Sequence, residues 1–389
     1  MIKAAKKMDQ IPFSPIRKVF DEIARLRAEG KDIISLGIGE PNFDTPANII
    51  AAMEKAAETG ATHYTPNKGI LPLRQAIVKY LERYDLHYDA EEIICTVGVA
   101  EAIYMVFGAY LEPGDEVLVP DPAWVNYAHV PVLNGACSVP YVLRPENEFQ
   151  IDVDALEELV TEKTKILVLI DPSNPTGAVQ SAETLKKLAD FAVRHDLLVI
   201  SDEIYDQLLY DGKEHVSIAS LPGMRQRTVV LNGFSKSYAM TGWRLGYAAA
   251  PMELLPPLAK MHAYMVTNAT SMAQYGAVEA LNGPQDSVEI MRAEFDRRRN
   301  YVIKAIREMP LLSCNRPQGA FYVFVDVAKT GMNGEQFVDF MIQHGVGLVP
   351  GTAFGKSAEN QVRLSYAASM EELEECMRRI RSALDTLQA

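Results

Sequence analysis

The chain lacks most of the features that would settle its class at a glance. No uninterrupted apolar run approaches the roughly 20 residues that a membrane helix needs. A membrane span is therefore excluded as an expectation. Cysteine is scarce, and Cys95, Cys137, Cys314 and Cys376 stand far apart. Neither a zinc spacing nor a redox pair arises, and reduced thiols in a cytoplasmic setting are expected. The 7 histidines are scattered with no His-x-x-x-His pair, so no metal site is expected. No Walker-type loop occurs, and no Gly-x-Gly-x-x-Gly follows a strand. Positive charge is in short supply: 38 Lys and Arg against 51 Asp and Glu give a net charge of -13. That balance argues against nucleic acid and anionic membrane surfaces as partners. Lys3, Lys6 and Lys7 have no apolar core behind them, so a secretory signal is not expected either. There is no internal repeat and no low-complexity linker.

What the chain does have is ordinary globular material, 48% hydrophobic and 23% charged over 389 residues. That length suggests about two domains. Apolar, β-branched runs over 33–36, 93–97, 116–119, 164–170, 197–201 and 228–231 read as strands. Between and after them, helical periodicity covers 18–29, 47–59, 98–110, 154–160, 182–194, 256–280, 286–309 and 335–344. Alternation of this kind implies an α/β fold around a mostly parallel sheet. In the helix at 286–309 the triplet Arg297-Arg298-Arg299 reads as a solvated or dimer-facing surface.

Three apolar strands end, in order, at residues of complementary chemistry. The run at 164–170 leads into Asp171-Pro172-Ser173-Asn174-Pro175-Thr176-Gly177, a tight turn in which a cis Asn174-Pro175 bond is expected. The next ends in Asp202, an awkward place for a charge unless a cation meets it or it caps a helix. The third leads through Asn232-Gly233 to Lys236, whose amine becomes a nucleophile towards aldehydes once its charge is removed. Eight positions on, Arg244 offers a planar fork suited to phosphate. Ligands in parallel sheets sit at the carboxyl ends of strands. An aldehyde that carries a phosphate satisfies both Lys236 and Arg244, and pyridoxal 5′-phosphate is such a molecule. The turn Gly98-Val99-Ala100 opens a helix and presents free N–H groups that favour phosphate. Trp124, one of two tryptophans, follows a strand and can stack on a flat ring.

The segment from Gly233 through Phe234, Ser235 and Lys236 to Ala239, Met240, Gly242, Arg244, Leu245 and Gly246 resembles the lysine signature of class I aminotransferases of fold type I. The resemblance extends from the Gly39 loop to Arg363. It implies a seven-stranded, mostly parallel sheet in a large cofactor domain, 46–284, and a smaller α+β domain made from 1–45 and 285–389. It implies that Lys236 carries pyridoxal 5′-phosphate and moves protons. Asp202 then meets the ring nitrogen, Asn174 and Tyr205 the phenolic oxygen, and Trp124 the ring face. Val99, Ala100, Ser235 and Arg244 surround the phosphate, and Tyr64 reaches that of a neighbouring subunit in a homodimer. Gly39, Trp124, Asn174 and Arg363 contact the substrate, Arg363 through its α-carboxylate. The implied reaction moves the amino group of an L-amino acid, aspartate or aromatic or a broad range, to a 2-oxo acid such as 2-oxoglutarate.

Two departures stand out. Some aspartate-using relatives carry lysine at the position of Ala100, and many carry serine at that of Gly233. The first argues against a dedicated aspartate enzyme, and Phe13, Ile16, Trp124 and Phe354 are candidates to line a pocket for aromatic side chains. A carbon–sulfur β-lyase and a cofactor-sensing regulatory module are the alternatives, the latter needing a DNA-binding extension.

Overall fold

Strands without polar alternation must be covered on both faces, which interleaved helices achieve. The computed structural model describes residues 2–388. The chain begins with α1 (Pro15–Ala28), β1 (Ile34–Ser35), α2 (Ala47–Glu58) and α3 (Leu71–Leu81). It continues through β2 (Ile93–Thr96), α4 (Gly98–Tyr110), β3 (Glu116–Asp121), α5 (Asn126–Leu133), β4 (Cys137–Val142), α6 (Val153–Glu157) and β5 (Thr164–Ile170). Then come α7 (Ala182–Arg194), β6 (Leu198–Asp202), β7 (Thr228–Gly233), β8 (Gly246–Ala249), α8 (Leu255–Met265), α9 (Ser271–Asn282) and α10 (Asp286–Arg307). The remainder holds β9 (Ser313–Cys314), β10 (Tyr322–Asp326), α11 (Gly334–Gln343), β11 (Val346–Gly347), β12 (Val349–Pro350), β13 (Gln361–Ser365) and α12 (Met370–Gln388).

The central sheet has 7 strands in the order β2-β8-β7-β6-β5-β3-β4. Every pairing from β7 to β4 is parallel, and only β8 runs against its neighbours. The mostly parallel α/β sheet expected from the sequence is therefore present. Every residue of β6 and β7 is buried, as strands covered by helices on both faces require. Register decides where the loops emerge. Ile170 pairs with Asp202, and Asp202 with Leu231. The carboxyl ends of β5, β6 and β7 are thus level, and the loops after them leave the sheet side by side.

A second, antiparallel sheet has the order β12-β13-β10-β9. The N-terminal segment joins this part of the molecule, since β1 pairs in parallel with β11. One cluster of buried side chains links them: Ile23 and Leu26 of α1 pack with Phe321, Val325, Leu364 and Leu373.

Two sequence expectations need correction. The helix read over 256–280 is two helices, α8 and α9, broken where Thr267 adopts a left-handed backbone (φ 70). Thr267, Asn268 and Thr270 are weak helix formers and outweigh the apolar periodicity. The Arg297-Arg298-Arg299 triplet is not a uniform surface patch. Arg298 is buried and Arg299 fully so, because each has carboxylates within reach. Arg299 pairs with Asp296 one turn earlier and with Asp211, and donates to the Pro317 carbonyl at 2.6 Å.

Arg299→Ala should cost about 2–3 kcal/mol. The figure stays below that of a fully sequestered pair because Asp211 and Asp296 keep 39% and 33% of their side-chain surface exposed. Urea unfolding measures it, and a loss under about 0.5 kcal/mol, typical of an exposed site, would contradict the burial argument.

Candidate active site

The level strand ends open onto a cavity of about 540 Å³, closed on its other side by the Gly39 loop and α1. Of the residues singled out from sequence, Lys236, Asp202, Tyr205, Val99, Ala100, Trp124, Asn174, Ser235, Arg244, Gly39 and Arg363 all line it. Tyr64 does not. It is 87% exposed and borders a different surface hollow with His63, Val266 and Asn268.

Lys236 leaves β7 three residues after its last strand position, and Nζ donates to the Gly39 carbonyl at 2.6 Å. The side chain is half-buried because it borders the cavity. Protein packed around that cavity removes most of the water that would solvate an ammonium. Burial first, then the charges of Arg363 and Arg244, push its pKa down to about 8, against the opposing pull of Glu40 and Asp202. A lysine in this state is available as a base and a nucleophile.

Asp202 is buried at the end of β6. Its Oδ2 accepts the Tyr127 hydroxyl at 2.7 Å, and its Oδ1 accepts the Ile204 N–H at 3.2 Å. The second bond is the local capping turn that competed with a functional reading. Burial nevertheless raises the carboxyl to about 6, with those two bonds pulling it back. A buried acid with only neutral donors suits a cationic ligand atom, such as a protonated ring nitrogen.

Arg363 shows the opposite sign of the same arrangement. It lies on β13, between β12 and β10, and so is not on an edge strand. The residue is 1% exposed, with its guanidinium 4.5 Å from the ring centre of Tyr322 and 4.6 Å from that of Phe354. Nη1 donates to Asn174 Oδ1 at 2.9 Å and Nη2 to the Gly37 carbonyl at 2.6 Å, while buried Nε has no partner among the described residues. Desolvation lowers its proton affinity. A buried cation met only by neutral acceptors, with one N–H unspent, is a receptor for a carboxylate. Asn174 spends its carbonyl on Arg363, which leaves its amide as a donor for a ligand. The Asn174-Pro175 bond is cis, as expected, and so are Asp121-Pro122 and Asp171-Pro172.

The start of α4 forms an anion cradle. Gly98 has φ 70, and a Cβ there would fall 2.8 Å from Nη2 of Arg244. Only glycine lets the guanidinium approach the helix N-terminus this closely, where Val99, Ala100 and Ser235 also border the cavity. A phosphate group fits this donor set, and an aldehyde on the same molecule fits Lys236.

Sequence reasoning missed Tyr127 and Tyr322. Tyr127 lies three residues after Trp124, in a stretch rich enough in aromatics to have suggested a second contact. Tyr322 pairs its hydroxyl with that of Tyr205 at 2.9 Å, and the same hydroxyl would lie 2.6 Å from any Cβ at position 39. That steric demand, visible only in three dimensions, is why the loop needs Gly39. Phe13 is fully exposed and does not line the cavity, whereas Phe354 backs Arg363 instead of facing a side-chain pocket. Ile16 and Trp124 do line it.

A family model described as aminotransferase class I and II matches residues 31–380. The aspartate aminotransferase of Pyrococcus abyssi is 45% identical over 97% of this chain and 97% of its own length. An aromatic-amino-acid aminotransferase of Thermococcus litoralis is 44% identical over 97% of each. Among solved structures, the aspartate aminotransferase from Thermus thermophilus with maleate superposes with a TM-score of 0.94 at 37% identity, covering 98% of this chain and 100% of that one.

Gly98→Ala should weaken the uptake of pyridoxal 5′-phosphate by about tenfold or more, the worth of one charge-assisted hydrogen bond. Uptake of pyridoxal, which lacks the phosphate, should stay unchanged. Equal loss for both would place the phosphate elsewhere.

Proposed function

The chain belongs to the class I and II aminotransferases and is a transaminase; from that premise we propose that it holds pyridoxal 5′-phosphate on Lys236 and moves the amino group of aspartate or an aromatic amino acid to a 2-oxo acid such as 2-oxoglutarate. One observation carries the reading: a low-pKa amine, a buried acid and a buried guanidinium without a counter-ion converge on one cavity.

Bound there, the cofactor supplies an aldehyde that takes up amines and a ring that accepts the electron pair left when a Cα–H bond breaks. The protein's residues divide the remaining work. Arg363 grips the α-carboxylate and fixes the amino acid against the Gly39 loop. Lys236, which would hold the cofactor through its aldehyde, would also serve as the base that takes the proton from the substrate Cα and gives it back. Asp202, ionised above about pH 6, keeps the ring nitrogen protonated, and Tyr127 holds that carboxylate in place. The amide of Asn174 and the hydroxyl of Tyr205 donate to the phenolic oxygen. Arg244, Ser235 and the N-terminus of α4, with Val99 and Ala100, hold the phosphate, and Trp124 covers one face of the ring.

The same reading makes the working unit a homodimer in which Tyr64 completes the phosphate site of the neighbouring subunit; its exposed ring in the single chain supports this. It also assigns 46–284 to the cofactor domain and 1–45 with 285–389 to the smaller one, a division supported by the two sheets and the β1–β11 pair. Among the described residues no helix is long and apolar enough to cross a membrane. The four cysteines are unpaired, which fits a reducing, cytoplasmic setting.

Lys236→Ala should abolish turnover, by about a thousandfold or more, together with the visible absorbance of lysine-bound cofactor. Wild-type protein given each of the twenty amino acids with 2-oxoglutarate should form glutamate fastest from aspartate or the aromatic ones. Substantial transamination by Lys236→Ala, or release of pyruvate and ammonia from cystathionine without an acceptor, would overturn the assignment.

A further inference from the structure

The proposed function leaves one buried pair of titratable side chains unemployed beside the anion cradle. Glu101 stands in the first turn of α4, just after Gly98, Val99 and Ala100. Its Oε2 accepts the Val97 N–H at 2.6 Å and so fixes the residue that leads into the cradle. Its Oε1 lies 2.7 Å from Nδ1 of His262 on α8. His262 is fully buried and Glu101 nearly so. The other ring nitrogen, Nε2, donates to the Asn67 carbonyl at 2.9 Å. Asn67 belongs to the loop that carries Tyr64. Its amide donates to the Thr267 carbonyl at 2.7 Å, where α8 breaks from α9.

These partners settle where the protons are. A carbonyl only accepts, so Nε2 of His262 carries a proton. Nδ1 and a carboxylate oxygen 2.7 Å apart need a second proton between them, because two lone pairs that close would repel. Whichever atom holds that proton, the pair has no net charge. Its neutrality matters for the helix on which it sits. An acid in the first turn draws on the same partial positive charge that an anionic ligand uses. Glu101 without its proton partner would therefore oppose a phosphate at Val99 and Ala100. We propose that His262 and Glu101 are positioning residues of the phosphate site. His262 cancels the charge of the acid, and Glu101 then holds the Val97 N–H, and with it the start of α4, without repelling the phosphate. The same imidazole ties α4 to the Tyr64 loop, so one buried ring sets both elements that the proposed function directs at a phosphate. The inference rests on the placement of the cofactor's phosphate at the start of α4.

Full-length protein with His262→Gln, Glu101→Gln or both is titrated with pyridoxal 5′-phosphate and with pyridoxal, and binding is followed by visible absorbance. His262→Gln keeps a donor for the Asn67 carbonyl but leaves the carboxylate unneutralised. It should weaken pyridoxal 5′-phosphate by about tenfold or more and pyridoxal by less than about twofold. Glu101→Gln keeps an acceptor for Val97 and offers an amide donor to Nδ1, so it should bind both forms within about twofold of wild type. Adding Glu101→Gln to His262→Gln should recover most of the loss. Unchanged binding in His262→Gln, equal weakening of both forms, or no recovery in the double variant overturns the proposal and leaves the transaminase reading intact. Should His262→Gln fail to fold, Glu101→Ala, which removes the acceptor for Val97, is set against Glu101→Gln. A phosphate-selective loss in Glu101→Ala alone supports the proposal, and equal behaviour of the two overturns it. Wild-type protein that binds pyridoxal as tightly as pyridoxal 5′-phosphate brings down the phosphate placement and this inference together.

Discussion

Removal of water from around one ammonium is the constraint on which the rest of the structure depends. A lysine in solvent keeps its proton far above neutral pH and attacks nothing. Position 236 escapes that state because the loop after β7 turns it into a cavity where protein has replaced bulk water, and two guanidinium groups oppose its charge. The level carboxyl ends of three parallel strands deliver the amine, Asp202 and the Asn174 turn to one place. The sheet is thus a device for fixing relative positions, and the antiparallel second sheet brings Arg363 to the same cavity from the other side.

The site is also a set of unbalanced charges. Asp202 is buried with neutral donors, Arg363 is buried with neutral acceptors, and Arg244 is drawn to a helix N-terminus through a glycine. The first two are disfavoured in the folded protein alone, because a buried charge without a counter-ion has lost its water, whereas Arg244 is exposed and is opposed only by the positive end of the helix beside it. Each becomes favourable when a ligand brings the matching group: a ring cation for the acid, a carboxylate for one arginine and a phosphate for the other. Stability given up in the empty chain reappears as binding energy, the usual relation between functional sites and fold stability. The neutral supports matter as much as the charges. Tyr127 orients the acid, and Tyr322 stacks on Arg363 while pairing with Tyr205.

Much of this was legible in the sequence because it depends on local order. The runs at 164–170 and 182–194 match β5 and α7, since apolar strands and capped amphipathic helices carry strong short-range signals. The succession of Asn174, Asp202 and Lys236 after apolar runs was enough to predict that they meet. What escaped depends on tertiary context. The antiparallel β8 follows the Arg244 motif without its own turn signal, and α3 starts inside a loop-like stretch at Pro72. Arg298 and Arg299 look like surface residues until Asn42 is folded against the first and Asp211 against the second, both distant in sequence. Gly39 is required by a tyrosine hydroxyl 283 positions later in the chain, a relation that no local pattern expresses. Tyr64 has no partner in the cavity of its own chain, so its proposed role needs a second copy.

The most direct test of the central claim is the rate at which cofactor-free protein captures pyridoxal 5′-phosphate, followed by visible absorbance as a function of pH. Only the neutral amine reacts, so the logarithm of the rate should rise with pH below the pKa of Lys236 and level off above it. The account predicts a half-maximal rate near pH 8, where burial and the two arginines hold the amine. A rate that continues to climb towards the pKa of an ordinary solvated lysine, about 10.4, would contradict it.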